Sequence, residues 1–277
     1  MRTFDPYPIT INGSKKDEAM RAPVMARFKK GEITEDQKDA ELKRLDPNQW
    51  DYKADSSPAA VHYEGRVRAL LSYIRSNTLG KCLLDMFRTD GSLPVWIIPY
   101  DSQDIKEYGD GNARVTRVPY SYINKHAVRL AYSFDMFTYA SKWGRDPGSR
   151  ADEVLFHELV HAYRVANPSV KFEAYPALPG YTDPEEFLAH QMSNVYRSLW
   201  GAKKFVLGYS DKALLAPADV CEAALRSSKK LMETLERFLA NDPLSRRVAK
   251  IKTRYNPFAD FDRIKRGPAT TPTRMIA

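Results

Sequence analysis

Residues 152–166 read DEVLFHELVHAYRVA, and within them His157-Glu158-Leu159-Val160-His161 forms the pattern H-E-x-x-H. On an α-helix each residue advances about 100°, so side chains four apart stand on one face, one turn above the other. That spacing lets two imidazoles reach a single cation. Glu158 stands about 100° round the helix, beside such a cation, where it can take a proton from a water on it. The flanking residues predict the helix. Ser149 and Asp152 have capping-box spacing after the turn-forming Asp146-Pro147-Gly148, and Asn167-Pro168 stops the run. Leu155, Leu159, Ala162 and Ala166 make an apolar stripe opposite the histidines, which anchors the back of the helix in a core.

Two histidines leave a catalytic site one protein ligand short. The residues after His161 are AYRVANP, so the motif does not extend as H-x-x-G-x-x-H. The next acidic helix begins at Asp183-Pro184-Glu185-Glu186-Phe187, with a capping Asp, a first-turn Pro and acids favoured by the helix dipole. On that helix Glu186, His190, Ser193 and Arg197 fall within about 60° of one another. A core-facing stripe of this kind is costly unless its members pair, and a cation would satisfy them. Glu185 reads as a helix-terminal acid, and His190 as a hydrogen-bond partner of a ligand. Arg164 and Arg197 read as structural partners of carboxylates.

The two stretches HELVHAYR and EEFLAHQMSNVYRS, with a late Asn256-Pro257-Phe258, carry a resemblance. The first with EEFLA resembles the gluzincin arrangement of lethal-factor-type zinc endopeptidases, and is similar to the botulinum-type pattern. A closer likeness is to bacterial effector peptidases delivered by specialised secretion systems. The likeness spans roughly residues 65 to 262, and only the two stretches are specific. It implies Zn2+ held by His157, His161 and Glu186, Glu158 as general base, and a Tyr that stabilises the oxyanion, with Tyr181 nearest in position and Tyr175 next. It further implies synthesis in a bacterial cytoplasm, delivery into a target cell, and a protein or peptide substrate cut internally.

The expected fold is therefore α+β and zincin-like, mostly helical with a small mixed sheet beside the metal-binding helix. Residues 1–60 read as a flexible or partner-binding arm, suited to a secretion chaperone or delivery partner. Residues 61–262 read as the catalytic domain and 263–277 as a basic disordered tail. Between them, Val67, Leu70, Leu71 and Ile74 predict a helix interrupted at Gly80, and Leu93 to Tyr100, Ala113 to Tyr122 and His126 to Tyr132 predict strands. The Asp183 helix runs to about Leu199, followed by helices over Pro217 to Asn241 and Leu244 to Thr253.

Composition excludes other classes. The 277 residues carry no apolar run near the roughly 20 residues of a membrane span, and the first twenty lack the apolar core of a Sec signal. Cys82 and Cys221 form no C-x-x-C pair and read as buried thiols rather than a zinc ribbon or disulfide framework. The net charge of +8 lies in residues 226–277, which hold 13 Lys and Arg against 5 Asp and Glu; the other 225 residues balance. No nucleic-acid module accompanies this charge, so nucleic acid is a minor expectation. Two competing readings remain: a non-catalytic zincin-fold binding module that uses the basic C-terminal region, and a zinc amidase acting on cell-wall peptide.

Overall fold

The run Leu93-Pro94-Val95-Trp96-Ile97-Ile98 is too apolar and too short for anything but a strand buried on both faces. In the computed structural model it forms β3 (Val95–Pro99), the centre of a five-stranded sheet. The structure describes residues 2–13, 16–44, 57–89, 91–100, 113–120, 125–133, 150–167, 170, 177–208 and 214–267. The fold is mixed α and β, mostly helical with a small mixed sheet. No described helix is long and apolar enough to cross a membrane. The chain divides into two compact units, Met1–Ser76 with Leu83–Arg145 and Ser149–Lys171, and Asn77–Cys82 with Asp146–Gly148 and Phe172–Ala277.

In the first unit the strands are β1 (Arg2–Thr3), β2 (Ile9–Ile11), β3, β4 (Ala113–Tyr120) and β5 (Lys125–Tyr132), in the order β1-β2-β3-β5-β4. β3 runs parallel to both β2 and β5, with Ile9 opposite Val95 and Ile97 opposite Leu130. β4, which contains Pro119, pairs antiparallel with β5 at the sheet edge, where a proline is tolerated.

The N-terminal arm expected over residues 1–60 is corrected at its start. Residues 2–13 belong to the sheet, with Ile9 and Ile11 buried. Asn12 N–H donates to Ile97 O at 2.9 Å, and Gly13 N–H donates to the buried Glu64 at 3.2 Å. A Cβ on Gly13 would overlap the Ala60 backbone, so this close approach needs glycine. Helices α1 (Lys16–Lys29) and α2 (Glu35–Arg44) then pack on each other. Residues 45–56 lie outside the described ones.

Helix α3 (Pro58–Ser76) buries Ala60, Tyr63, Val67, Leu71 and Ile74, a helical repeat on one face. The break before α4 (Thr78–Met86) falls at Asn77 rather than at Gly80. The Asn77 side chain accepts from Leu79 N–H at 3.0 Å and from Gly80 N–H at 3.4 Å, so it caps α4 and leaves Gly80 inside it.

The H-E-x-x-H segment is α5 (Ala151–Ala166), packed on β4, β5 and α3. Leu155, Phe156, Leu159, Val160, Ala162, Tyr163 and Ala166 are all buried, so the expected stripe is present and wider than expected.

In the second unit α6 (Pro184–Leu199) is followed by a hairpin of β6 (Phe205–Leu207) and β7 (Leu214–Ala216), which no sequence expectation included. The helix expected over Pro217 to Asn241 is two, α7 (Ala218–Ser227) and α8 (Lys229–Asn241), because the Ser228 hydroxyl accepts from Leu231 N–H and restarts the helix. Helix α9 (Pro243–Val248) ends short of Thr253.

The tail expected from residue 263 is corrected by α10 (Phe261–Arg266). Ile264 is buried, Arg263 makes a two-pronged ion pair with Glu222 at 2.7 and 2.8 Å, and Lys265 reaches Glu236 at 2.9 Å. Residues 268–277 lie outside the described ones. Both cysteines are free thiols; Cys221 is buried as expected and Cys82 only half-buried.

Candidate metal centre

His157 and His161 stand one turn apart on α5, half-buried, while Leu159 and Val160 between them are sealed into the core. Their Nε2 atoms approach to 3.1 Å, with ring centroids 4.8 Å apart and planes at 70°. Two imidazoles bound to one tetrahedral zinc at about 2.0–2.1 Å have nitrogens about 3.3 Å apart, so the pair already holds nearly that spacing.

What fixes α5 is long-range. Its first turn carries no side-chain cap: Arg150 is the N-cap residue, and Ser149 lies outside the described residues. Asp152, expected to complete a capping box, is instead gripped by the Arg150 guanidinium at 3.1 and 3.2 Å. Tyr132 Oη, at the end of β5, donates to Ala151 O at 2.7 Å. Leu93 N–H, just before β3, donates to Ala166 O at 3.0 Å. The helix is thus tied to the sheet at both ends, and the histidines between them inherit a fixed axis.

Glu186 sits in the first turn of α6, and local sequence puts it there. Asp183 accepts from Glu186 N–H at 2.8 Å, and Pro184 occupies the first turn. Among the described residues, His157, His161 and Glu186 form the group of His, Cys, Asp or Glu that could hold a metal ion. One ligand atom from each lies within 4.8 Å of the others. Glu185 and His190, both half-buried on α6, are not members of that group. Glu158 is half-buried and follows His157 directly on α5. Arg164 is buried in the last turn of α5, where the helix dipole favours a cation, and Arg197 holds the same place in α6.

Tyr181, expected as the oxyanion donor, lies just before α6. The Tyr181 hydroxyl accepts from Gln191 Nε2 at 3.1 Å, and its ring stands edge-on to Phe187 and His190. Burial pushes its pKa up to about 12. The other candidate, Tyr175, lies outside the described residues.

Asn194 and Ser198 of the second specific stretch, and Asn256 of the late Asn-Pro-Phe, serve as scaffolding. Asn194 pairs with β6 as a strand would, its Nδ2 donating to Val206 O at 2.9 Å and its Oδ1 accepting from Val206 N–H at 2.8 Å. Ser198 Oγ accepts from Tyr255 N–H at 2.9 Å. Asn256 closes the turn after α9 with both amide atoms. Sequence reasoning missed the roles of Gln191 and Tyr255; a Gln on the buried face of an otherwise apolar helix turn was the available signal.

The candidate group is thus two imidazoles of α5 with one carboxylate of α6, and Glu158 follows the first imidazole in the chain. Compared with known protein families, with curated proteins and with solved structures, the chain matches none.

Proposed function

We propose that the protein is a zincin-like metallohydrolase of the gluzincin kind, an endopeptidase that hydrolyses a peptide bond of a protein substrate. The observation that carries this reading is the His157, His161 and Glu186 group, with Glu158 adjacent to the first histidine. Two imidazoles and one carboxylate suit zinc, whereas magnesium and calcium prefer oxygen donors throughout. The same donor types also serve ferrous iron; a spare glutamate beside them is what a hydrolytic site needs.

Zinc held there supplies Lewis acidity towards a carbonyl oxygen and lowers the pKa of a water towards about 7. The chain's own residues divide the remaining work. Glu158 accepts a proton from the attacking water and delivers it to the departing amine, so one water is consumed and an acid and an amine are released. His157, His161 and Glu186 hold the ion and take no proton. Nothing in this scheme requires a covalent adduct with the protein. No step of the scheme is assigned to Tyr181, whose hydroxyl accepts from Gln191 Nε2.

The test is metal analysis of the purified protein, followed by identification of new N-termini in a lysate exposed to it. One zinc per chain is expected. Glu158→Gln should keep the zinc and lower cleavage by at least about 100-fold. Iron in place of zinc, or a Glu158→Gln protein that still cleaves, overturns the reading.

A further inference from the structure

The second unit contains a cavity of about 240 Å³ whose walls and floor differ in chemistry. Val206, Leu225 and Leu231 supply apolar wall, while Tyr181, Gln191 and Tyr255 bring polar groups to it. Those three polar side chains are at least nine-tenths buried and linked in a directed chain. Tyr255 Oη donates to Gln191 Oε1 at 2.8 Å, and Gln191 Nε2 donates to Tyr181 Oη at 3.1 Å. The hydrogen bond that this oxygen makes among the described residues is accepted from a donor, so the Tyr181 proton is left to be given into the cavity it lines. Burial keeps that proton in place at any physiological pH, with the pKa pushed up to about 12.

We propose that this cavity binds a small uncharged molecule with an apolar body and one hydrogen-bond acceptor, the acceptor meeting the Tyr181 hydroxyl. Its size follows from the volume: an apolar cavity of about 150 Å³ is enough to hold benzene, so this one takes a single ring with a short substituent. Its neutrality follows from the lining, which has no charged side chain among the described residues. An ion there would have no counter-charge and would lose its hydration. Its acceptor follows from the hydroxyl, since a pure hydrocarbon would leave a buried donor unpaired.

The probe is 4-fluoroacetophenone, observed by fluorine NMR with the full chain, with and without a metal chelator. Its line should broaden, and excess unlabelled acetophenone should restore it. The chelator should make no difference, so the outcome stands apart from the hydrolase reading. 4-Fluorobenzoate, of similar shape but anionic, should not broaden. Tyr181→Phe should weaken ketone binding about three- to tenfold and should not weaken binding of the hydrocarbon 4-fluorocumene, which no longer strands a donor. Ala224→Phe and Leu231→Phe each fill the cavity and should abolish binding; two are used so that one folded variant, checked by circular dichroism, suffices. No broadening with the native chain, equal broadening with a folded filled variant, or equal binding of the benzoate overturns the proposal. Unchanged ketone affinity in Tyr181→Phe overturns the acceptor assignment.

Discussion

The two helices that carry the candidate metal group are held in place by opposite means. α5 has no side-chain cap and depends on hydrogen bonds from residues far away in sequence, Tyr132 and Leu93. Its buried charges, Asp152, Glu153 and Arg164, sit in the first and last turns where the dipole favours them, and its middle is apolar. α6 starts on a side-chain cap written into four consecutive residues, and buries neutral polar groups along its length: Gln191, Asn194 and Ser198. One helix is aimed by the sheet, the other by its own first turn and a polar interior. The difference teaches where each ligand is vulnerable. The histidines keep their mutual spacing wherever α5 goes, because both lie on one helix. Glu186 keeps its place only while α6 and its supports do.

The largest effect should come from removing a donor. His161→Ala and Glu186→Ala should each weaken zinc binding by more than about 100-fold, measured by competition with a chromogenic chelator. If Glu186→Ala kept native affinity while His161→Ala lost it, the ion would belong to α5 alone and the comparison would collapse.

Next comes the polar interior of the second unit. Asn256 is 1% exposed and makes four hydrogen bonds, to Val248 O, Ile251 O, Phe258 N–H and Ala259 N–H. Asn256→Ala leaves several buried backbone groups unpaired at once, and should lower stability by about 2–4 kcal/mol in a denaturant titration. A loss under about 1 kcal/mol would mean that water replaces the amide, and that this interior is wetter than its burial indicates.

These contrasts also explain what could be read in advance. The histidine pair was legible because an i, i+4 spacing is a property of one helix. The Asp183-Pro184-Glu185-Glu186 start was legible because a cap spans four residues. Ile9-Thr10-Ile11 was not legible as a strand. Three residues carry too little pattern, and its partner lies near residue 95. The same holds for Tyr181, whose hydroxyl accepts from Gln191, a side chain held in turn by Tyr255, 64 residues beyond that glutamine. The basic segment at 263–266 looked like a tail because its charge was visible, while its fasteners were not. Glu222 is 41 residues away from Arg263, and Ile264 is one apolar residue among cations.

A smaller effect separates the capped helix from the uncapped one. Asp183→Ala removes the acceptor for Glu186 N–H and should cost about 1 kcal/mol of stability, within a range of about 0.5–2. Because the lost bond is on the backbone of the proposed ligand itself, zinc affinity should fall as well. Asp183→Asn, which can still cap, should restore stability. Loss of stability with unchanged zinc affinity would show that Glu186 does not depend on its own cap, and would weaken the contrast with α5.

The smallest effect asks whether the second unit is dry inside. Cys221 is buried against β6 and β7, its Sγ near Phe205 O and Ala216 O, and its pKa is pushed up to about 11. Burial is the first cause, and the nearby carboxylates of Asp219 and Glu222 add to it. In the unfolded chain the thiol titrates near its ordinary value of 9.0. The folded protein therefore holds this proton where the unfolded chain has released it. The contribution is fully present below about pH 9 and is lost as pH rises through about 11, so stability falls across that window. Tyrosines and lysines titrate in the same range, so the measurement is a difference. The gap in unfolding free energy between the native chain and Cys221→Ala should narrow by about 1–2 kcal/mol from pH 8 to pH 11. A gap that stays constant would mean that the thiol meets water at both ends of its titration. The polar groups buried along α6 would then owe less to a dry interior than their hydrogen bonds suggest.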